Sequence, residues 1–138
     1  MSPHPVTGSD GARYWTAEAL FQSMRFAPGS LVIELLQKER NPMAAKMLAR
    51  KHLALFDVEP QSEADLSNML DVLTLKIAQH PDLAEQLAAT RGRKIVEDVT
   101  ARRNKGSAMF WGAARTPTGW EGGNALGALW MTLRDRQA

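Results

Sequence analysis

The sequence contains no cysteine, which excludes disulfides and thiolate metal sites. No stretch approaches the roughly eighteen uninterrupted apolar residues of a membrane span. The first residues, Met-Ser-Pro-His-Pro-Val-Thr-Gly-Ser-Asp-Gly, have neither a basic start nor an apolar block, so they do not read as a secretory signal. Together these absences favour a cytoplasmic location. The three histidines, His4, His52 and His80, show no metal-ligand spacing and read as surface or capping residues. Neither a metal nor a cofactor is expected. Internal repeats and low-complexity tracts are also missing.

What is present is one domain's worth of chain, 138 residues that are 44% hydrophobic and 23% charged. Such a length can bury a real core, and such a composition is that of an ordinary globular protein. The net charge is only +2, but it is unevenly placed. Between Arg91 and Arg115 there are seven basic residues (Arg91, Arg93, Lys94, Arg102, Arg103, Lys105, Arg115) against Glu97 and Asp98, so the rest of the chain is net −3. Two explanations stand side by side: a solvated basic loop, or an anion site for a phosphorylated ligand or nucleic acid.

Hydrophobic periodicity and capping residues predict a mainly helical α+β domain with few strands. Residues 1–13, broken by Pro3, Pro5 and Gly8, read as a flexible or irregular arm, and 14–138 as the folded domain. Thr16 is a good N-cap for a helix over Ala17 to Phe26, and Pro28-Gly29 ends it. Ser30 can cap a helix from Leu31 to Lys38. Asn41 before Pro42 starts a third, running to about Leu53. Ser62, with Asp65 three residues on, resembles a capping box and opens a long helix to Gln79 with Leu66, Met69, Leu70, Leu73 and Ile77 at helical spacing. His80-Pro81 begins a short helix through Ala89. Lys94–Val99 and Ala108–Trp111 are the strand candidates, and Asn124 is a fitting cap for a final helix carrying Leu126, Leu129, Trp130 and Leu133.

Two stretches carry potential chemistry. In Tyr14–Phe26, Glu18 is a single carboxylate in the first turn of an otherwise apolar helix start, where the dipole alone would favour it. Gln22 lies one turn further along the same face. In 110–134, Phe-Trp-Gly is followed by a loop and then Gly-Gly-Asn-Ala-Leu-Gly-Ala-Leu-Trp-Met-Thr-Leu-Arg. Here Trp111 is either core or a stacking face, Asn124 a cap or a ligand contact, and Gly123 and Gly127 backbone room.

Taken together these stretches resemble the NADAR family, the YbiA-like N-glycosidases. Trp15, Thr16, Glu18, Phe21, Gln22 and Phe26 match the family's opening pattern, with Arg25 where Lys is usual. Trp111, Gly112, Gly123, Asn124, Leu126, Gly127, Met131 and Arg134 match its close. Asn-Pro-Met-Ala-Ala-Lys-Met at 41–47 and the segment from Asn68 to His80 are similar to its middle helices. The resemblance spans roughly residues 14–136. It implies a YbiA-like domain, here with a reduced sheet because few residues precede the first motif, and oligomerisation would cover the edge so exposed.

The resemblance further implies an enzyme that hydrolyses the N-ribosidic bond of a phosphorylated riboside. The substrates it points to are an early riboflavin-pathway intermediate or an ADP-ribose- or NAD-derived compound, including ADP-ribosylated guanine. Cleavage of that bond passes through an oxocarbenium-like transition state. The implied site is Glu18 as catalytic carboxylate, with Trp15, Gln22, Arg25, Trp111, Gly112 and Asn124 binding substrate. The chain departs from the pattern at Ala19-Leu20, where the family has His-Tyr, and at Ala108, where it has Asp. Phe56 is the nearest counterpart of a mid-chain Trp. The extra Ala-Arg-Arg-Asn-Lys-Gly-Ser before Ala108 makes Asp98 the candidate second carboxylate. The alternative is a catalytically weakened nucleotide or ADP-ribose-binding module, with nucleic acid a further partner for the 91–115 segment.

Overall fold

The computed structural model describes residues 4–137. The chain divides into two units, Met1–Leu83 and Ala84–Ala138.

Of the irregular arm expected over 1–13, residues 1–3 lie outside the described residues and the rest contains a ribbon. Strand β1 (Val6–Thr7) pairs antiparallel with β2 (Arg13–Tyr14), Val6 facing Tyr14 and Thr7 facing Arg13. Single buried apolar residues in two-residue strands leave no periodicity to read, yet Val6 and Tyr14 are both in the core. Gly11 adopts φ +87° in the turn, where the Asp10 carboxylate accepts from the Ala12 N–H at 3.0 Å.

Helix α1 (Ala17–Ser23) is capped by Thr16, whose hydroxyl accepts from Ala19 N–H at 3.0 Å. Six of its seven residues are buried, since it packs against α2 (Leu31–Lys38), α3 (Pro42–Lys51) and α4 (Glu63–Gln79). Ala19 and Leu20 therefore serve packing. The helix ends three residues before the expected Phe26. Met24, Arg25 and Phe26 each donate to the carbonyl three residues back, tightening the last turn. This turn delivers Phe26 to an antiparallel bridge with Phe56, their rings edge to face at 5.0 Å.

Helices α2 and α3 begin as their caps predict, on Ser30 and on Asn41 with Pro at the first turn. A single 3₁₀ turn (Leu53–Leu55) follows. At α4 the capping box forms only in part: Ser62 Oγ accepts from Asp65 N–H at 3.2 Å. The Asp65 carboxylate does not reach back to Ser62. It accepts from Gln61 N–H at 2.9 Å and from both Nε and an Nη of Arg25 at 2.9 and 2.7 Å. Asp65 is fully buried and the Arg25 side chain 11% exposed. The guanidinium also lies over the rings of Phe21 (4.7 Å) and Phe56 (5.5 Å).

Helix α5 (Pro81–Ala88) carries the chain into the second unit. There both strand candidates are overturned. Residues 94–99 make no strand, only a parallel bridge between Asp98 and Ala113, with Ala113 N–H donating to Glu97 O at 2.8 Å and Val99 N–H to Ala113 O at 3.0 Å. Ala108–Trp111 is a one-turn helix, α6, because Trp111 and Gly112 N–H groups close back on Ser107 and Ala108 carbonyls. The observed strands are β3 (Ala114–Thr116) and β4 (Gly119–Glu121), an antiparallel hairpin across Pro117-Thr118. Helix α7 (Ala125–Arg136) ends the fold. The result is mainly helical α+β with two small sheets.

Breaking a buried ion pair from one side leaves an uncompensated charge, which costs about 3–5 kcal/mol. Asp65→Ala should lower unfolding free energy by that order in a denaturant titration. Adding Arg25→Met to it should recover part of the loss, and equal stability of the single variant and the parent would show that the pair does not hold the unit.

Candidate active site

Glu18 occupies the first turn of α1, half-buried. Gln22, one turn on, is almost fully buried and donates from Nε2 to Glu18 Oε2 at 2.8 Å. Its Oε1 accepts from Arg25 Nη1 at 3.2 Å. The Arg25–Asp65 pair thereby fixes the Gln22 amide, and the amide fixes one oxygen of Glu18. The structure thus brings together three of the residues expected at the site. It also changes what Arg25 does: its charge is met by Asp65 and its faces by two phenyl rings. Arginine rather than lysine suits this position, since only a guanidinium fork makes two parallel bonds to a carboxylate while reaching a third acceptor.

Trp15, just before the cap, is 44% exposed and stacked under the Arg40 guanidinium at 4.2 Å. With Arg13, Tyr14 and Gln37 it lines a recess of about 260 Å³. Such an aromatic face flanked by cations suits a planar, anionic ligand.

Lys76 was not singled out in the sequence. It lies on α4 with only 5% exposure, and desolvation holds its ammonium pKa below the usual 10.5. The signal was there: position 76 continues the Met69–Leu73 apolar stripe at the three- and four-residue spacing, so a lysine in it interrupts a buried face.

In the second unit Asn124 holds the N-cap position expected of it, but not by capping with its side chain. It takes φ +50° and its side chain makes no capping bond. Instead Oδ1 accepts from Glu97 N–H and Nδ2 donates to the Ile95 carbonyl, both at 2.9 Å. That clasp holds extended backbone that has no sheet partner at those groups. Gly112 is required by the same closeness, since a Cβ there would meet Glu97 O at 2.5 Å and Val99 Cγ1 at 2.6 Å. Arg134 ties α7 to the preceding loop, one Nη donating to the carbonyls of Thr90 and Arg93 at 2.9 and 2.6 Å. Trp111, half-buried on α6, meets Phe110 edge to face at 5.0 Å.

Asp98 is exposed, and its Oδ1 accepts from the Thr100 hydroxyl at 2.6 Å and Thr100 N–H at 3.0 Å. Those bonds, the hydroxyl first, and the charge of Arg115 hold its pKa below the ordinary carboxylate value. Hydrogen bonds to the ionised form favour it. None of the seven basic residues between 91 and 115 makes an ion pair among the described residues. Arg115 lies over the exposed Trp120 ring at 4.9 Å.

The first unit thus holds a half-buried carboxylate braced from behind and an accessible indole beside arginines, and the second holds a glycine- and asparagine-clasped turn carrying another tryptophan. The NADAR domain family matches residues 1–137, and the chain belongs to that family. Its fold is similar to the NMR structure of the E. coli protein YbiA, with 27% identity and a TM-score of 0.71 over 98% of this chain and 73% of that one. No curated protein sequence matches. No helix among the described residues is long and apolar enough to cross a membrane.

Two outcomes follow. Asn124→Ala removes two hydrogen bonds, each worth about 1 kcal/mol, and leaves a non-glycine residue at positive φ; thermal unfolding should show a loss of roughly 2–3 kcal/mol, and Asn124→Gly should lose less. For Lys76 the folded pKa lies below the unfolded one, so the unfolded state binds more protons as pH approaches 10.5 from below, and stability rises with pH through that window. Lys76→Met should abolish this rise relative to the parent in urea titrations between pH 8 and 10.5, and parallel pH profiles would show that the ammonium is not desolvated.

Proposed function

We propose that this chain hydrolyses the N-ribosidic bond of a phosphorylated riboside. The observation that carries the reading is the Glu18 carboxylate, half-buried and held by Gln22 at 2.8 Å within a network anchored on Arg25–Asp65. Family membership supports a glycosidase-like role in general. In the proposed step the C–N bond lengthens and positive charge develops on the ribose. Glu18 stabilises that charge and steers water to the anomeric carbon, and the leaving base takes the proton. Gln22 positions Glu18, so little reorganisation is needed as charge develops. Trp15 and the arginines beside it, in the same unit as Glu18, receive the phosphate-bearing end, while in the second unit Trp111 offers an aromatic face and Gly112 serves close backbone packing.

Among the residues expected to bind substrate, Arg25 and Asn124 contribute by bracing. Ala108 in place of the family's Asp favours a second reading, a nucleotide or ADP-ribose-binding module without turnover. The Arg115–Trp120 stack, where the last arginine of the basic segment meets an exposed ring beyond it, suits a nucleic acid carrying the riboside, and such binding would fall steeply with salt.

Incubation with early riboflavin-pathway intermediates, NAD, ADP-ribose and ADP-ribosylated guanine, followed for free base, tests the reading. Glu18→Gln keeps size and the Gln22 contact, so it should fold normally and turn over about a hundredfold more slowly or worse. Parent binding without base release would establish the binding module, and undiminished turnover in the variant would remove Glu18 from the mechanism.

A further inference from the structure

We propose that His4, His80 and Asp82 form a site for a divalent transition-metal ion of the zinc class. One ligand atom from each residue can be chosen so that all lie within 4.8 Å of one another. The two imidazoles meet edge to face with centroids 4.7 Å apart, and His4 Nε2 lies 3.0 Å from Asp82 Oδ2. Two ligands of a tetrahedral zinc ion, each about 2.0–2.1 Å from it, are separated by roughly 3.3 Å. The His4–Asp82 edge, at 3.0 Å, is a few tenths of an ångström shorter, and small side-chain rotations open it and bring in His80.

The surroundings are those of a prepared site. His80 Nε2 is 2.6 Å from the Pro5 carbonyl, and a carbonyl only accepts, so Nε2 carries the hydrogen and Nδ1 of the neutral ring keeps its lone pair. A ring N–H given to a backbone carbonyl is the usual way a ligating histidine is oriented. His4 is positioned by the strand that follows it. The Gln79 amide clasps Thr7 from both sides, accepting from Thr7 N–H and donating to Thr7 O, each at 2.8 Å, while Val6 is in the core. Both histidines are half-buried and Asp82 is exposed, which leaves a coordination position facing solvent for water and for entry of the ion.

Two imidazoles and a carboxylate suit zinc, with cobalt, nickel and copper able to compete. On binding, the hydrogen leaves His4 Nε2, and that nitrogen and the Asp82 oxygen both turn to the metal. The ion would tie the segment before β1 to the junction of α4 and α5. The site lies outside the residues assigned to hydrolysis, so it stands whatever becomes of that reading.

The test uses the full chain stripped with chelator. Zinc chloride titrated in a calorimeter should bind one ion per chain and raise the melting temperature. Cobalt should give the visible absorption of a four-coordinate ion. His80→Ala and Asp82→Asn, folded by circular dichroism, should each weaken zinc binding by about tenfold or more, the lower range for metal-site lesions, while His52→Ala should not. Asp82→Asn is an exposed change on the first turn of α5, so it reads the site even if His80→Ala unfolds. Absence of stoichiometric binding, or equal binding in Asp82→Asn and the parent, would overturn the proposal.

Discussion

The fold of the first unit turns on one buried ion pair. Asp65 begins α4 and Arg25 follows α1, forty positions earlier in the chain, so their contact closes the α1–α4 packing. Removing two charges from water is costly, and their mutual attraction offsets the cost only when the remaining donors and acceptors are met. Here they are. Asp65 accepts from Arg25 twice and from the backbone at 61, and Arg25 donates onward to Gln22. Phe21 and Phe56 flank the guanidinium and restrict where it can go.

That arrangement links stability to the candidate chemistry. Glu18 is one hydrogen bond away from Gln22 and two from Arg25. A network whose members are all satisfied has few alternative geometries, and such a brace is what holds a carboxylate in one orientation before a reaction begins. The second unit uses a different device for a similar end. Backbone approaches backbone too closely for a side chain at Gly112, and Asn124 supplies the donor and acceptor that a neighbouring strand would otherwise provide.

The second unit departs from its sequence pattern because its short segments lack the partners and the length that define a strand. Ile95, Val96 and Val99 have strand-like side chains, but a strand exists only with a partner, and here that partner is one bridge and an asparagine side chain. At Ala108–Trp111 four residues are too few to distinguish one turn of helix from a short strand by period. The β3–β4 hairpin is exposed almost throughout, so it lacks the alternation that marks a half-buried sheet. Helices were better legible because their signals are local. Thr16, Ser30, Asn41 and Ser62 each cap where expected.

The sequence by itself determined the helix starts, the mainly helical class, the family and the place of Glu18 at the head of α1, because capping, periodicity and motif spacing act within a few residues of one another. Tertiary structure decided what contacts distant in sequence decide. Arg25 became a brace because Asp65 arrives from another helix, Asn124 a clasp because backbone around 96 passes beside it, and Lys76 a desolvated amine because its helix face is buried. His4 and His80 have no metal-ligand spacing along the chain, yet the pairing of Thr7 with Gln79 folds one onto the other. A side chain's partners are set by the path of the backbone, and no local rule carries that path.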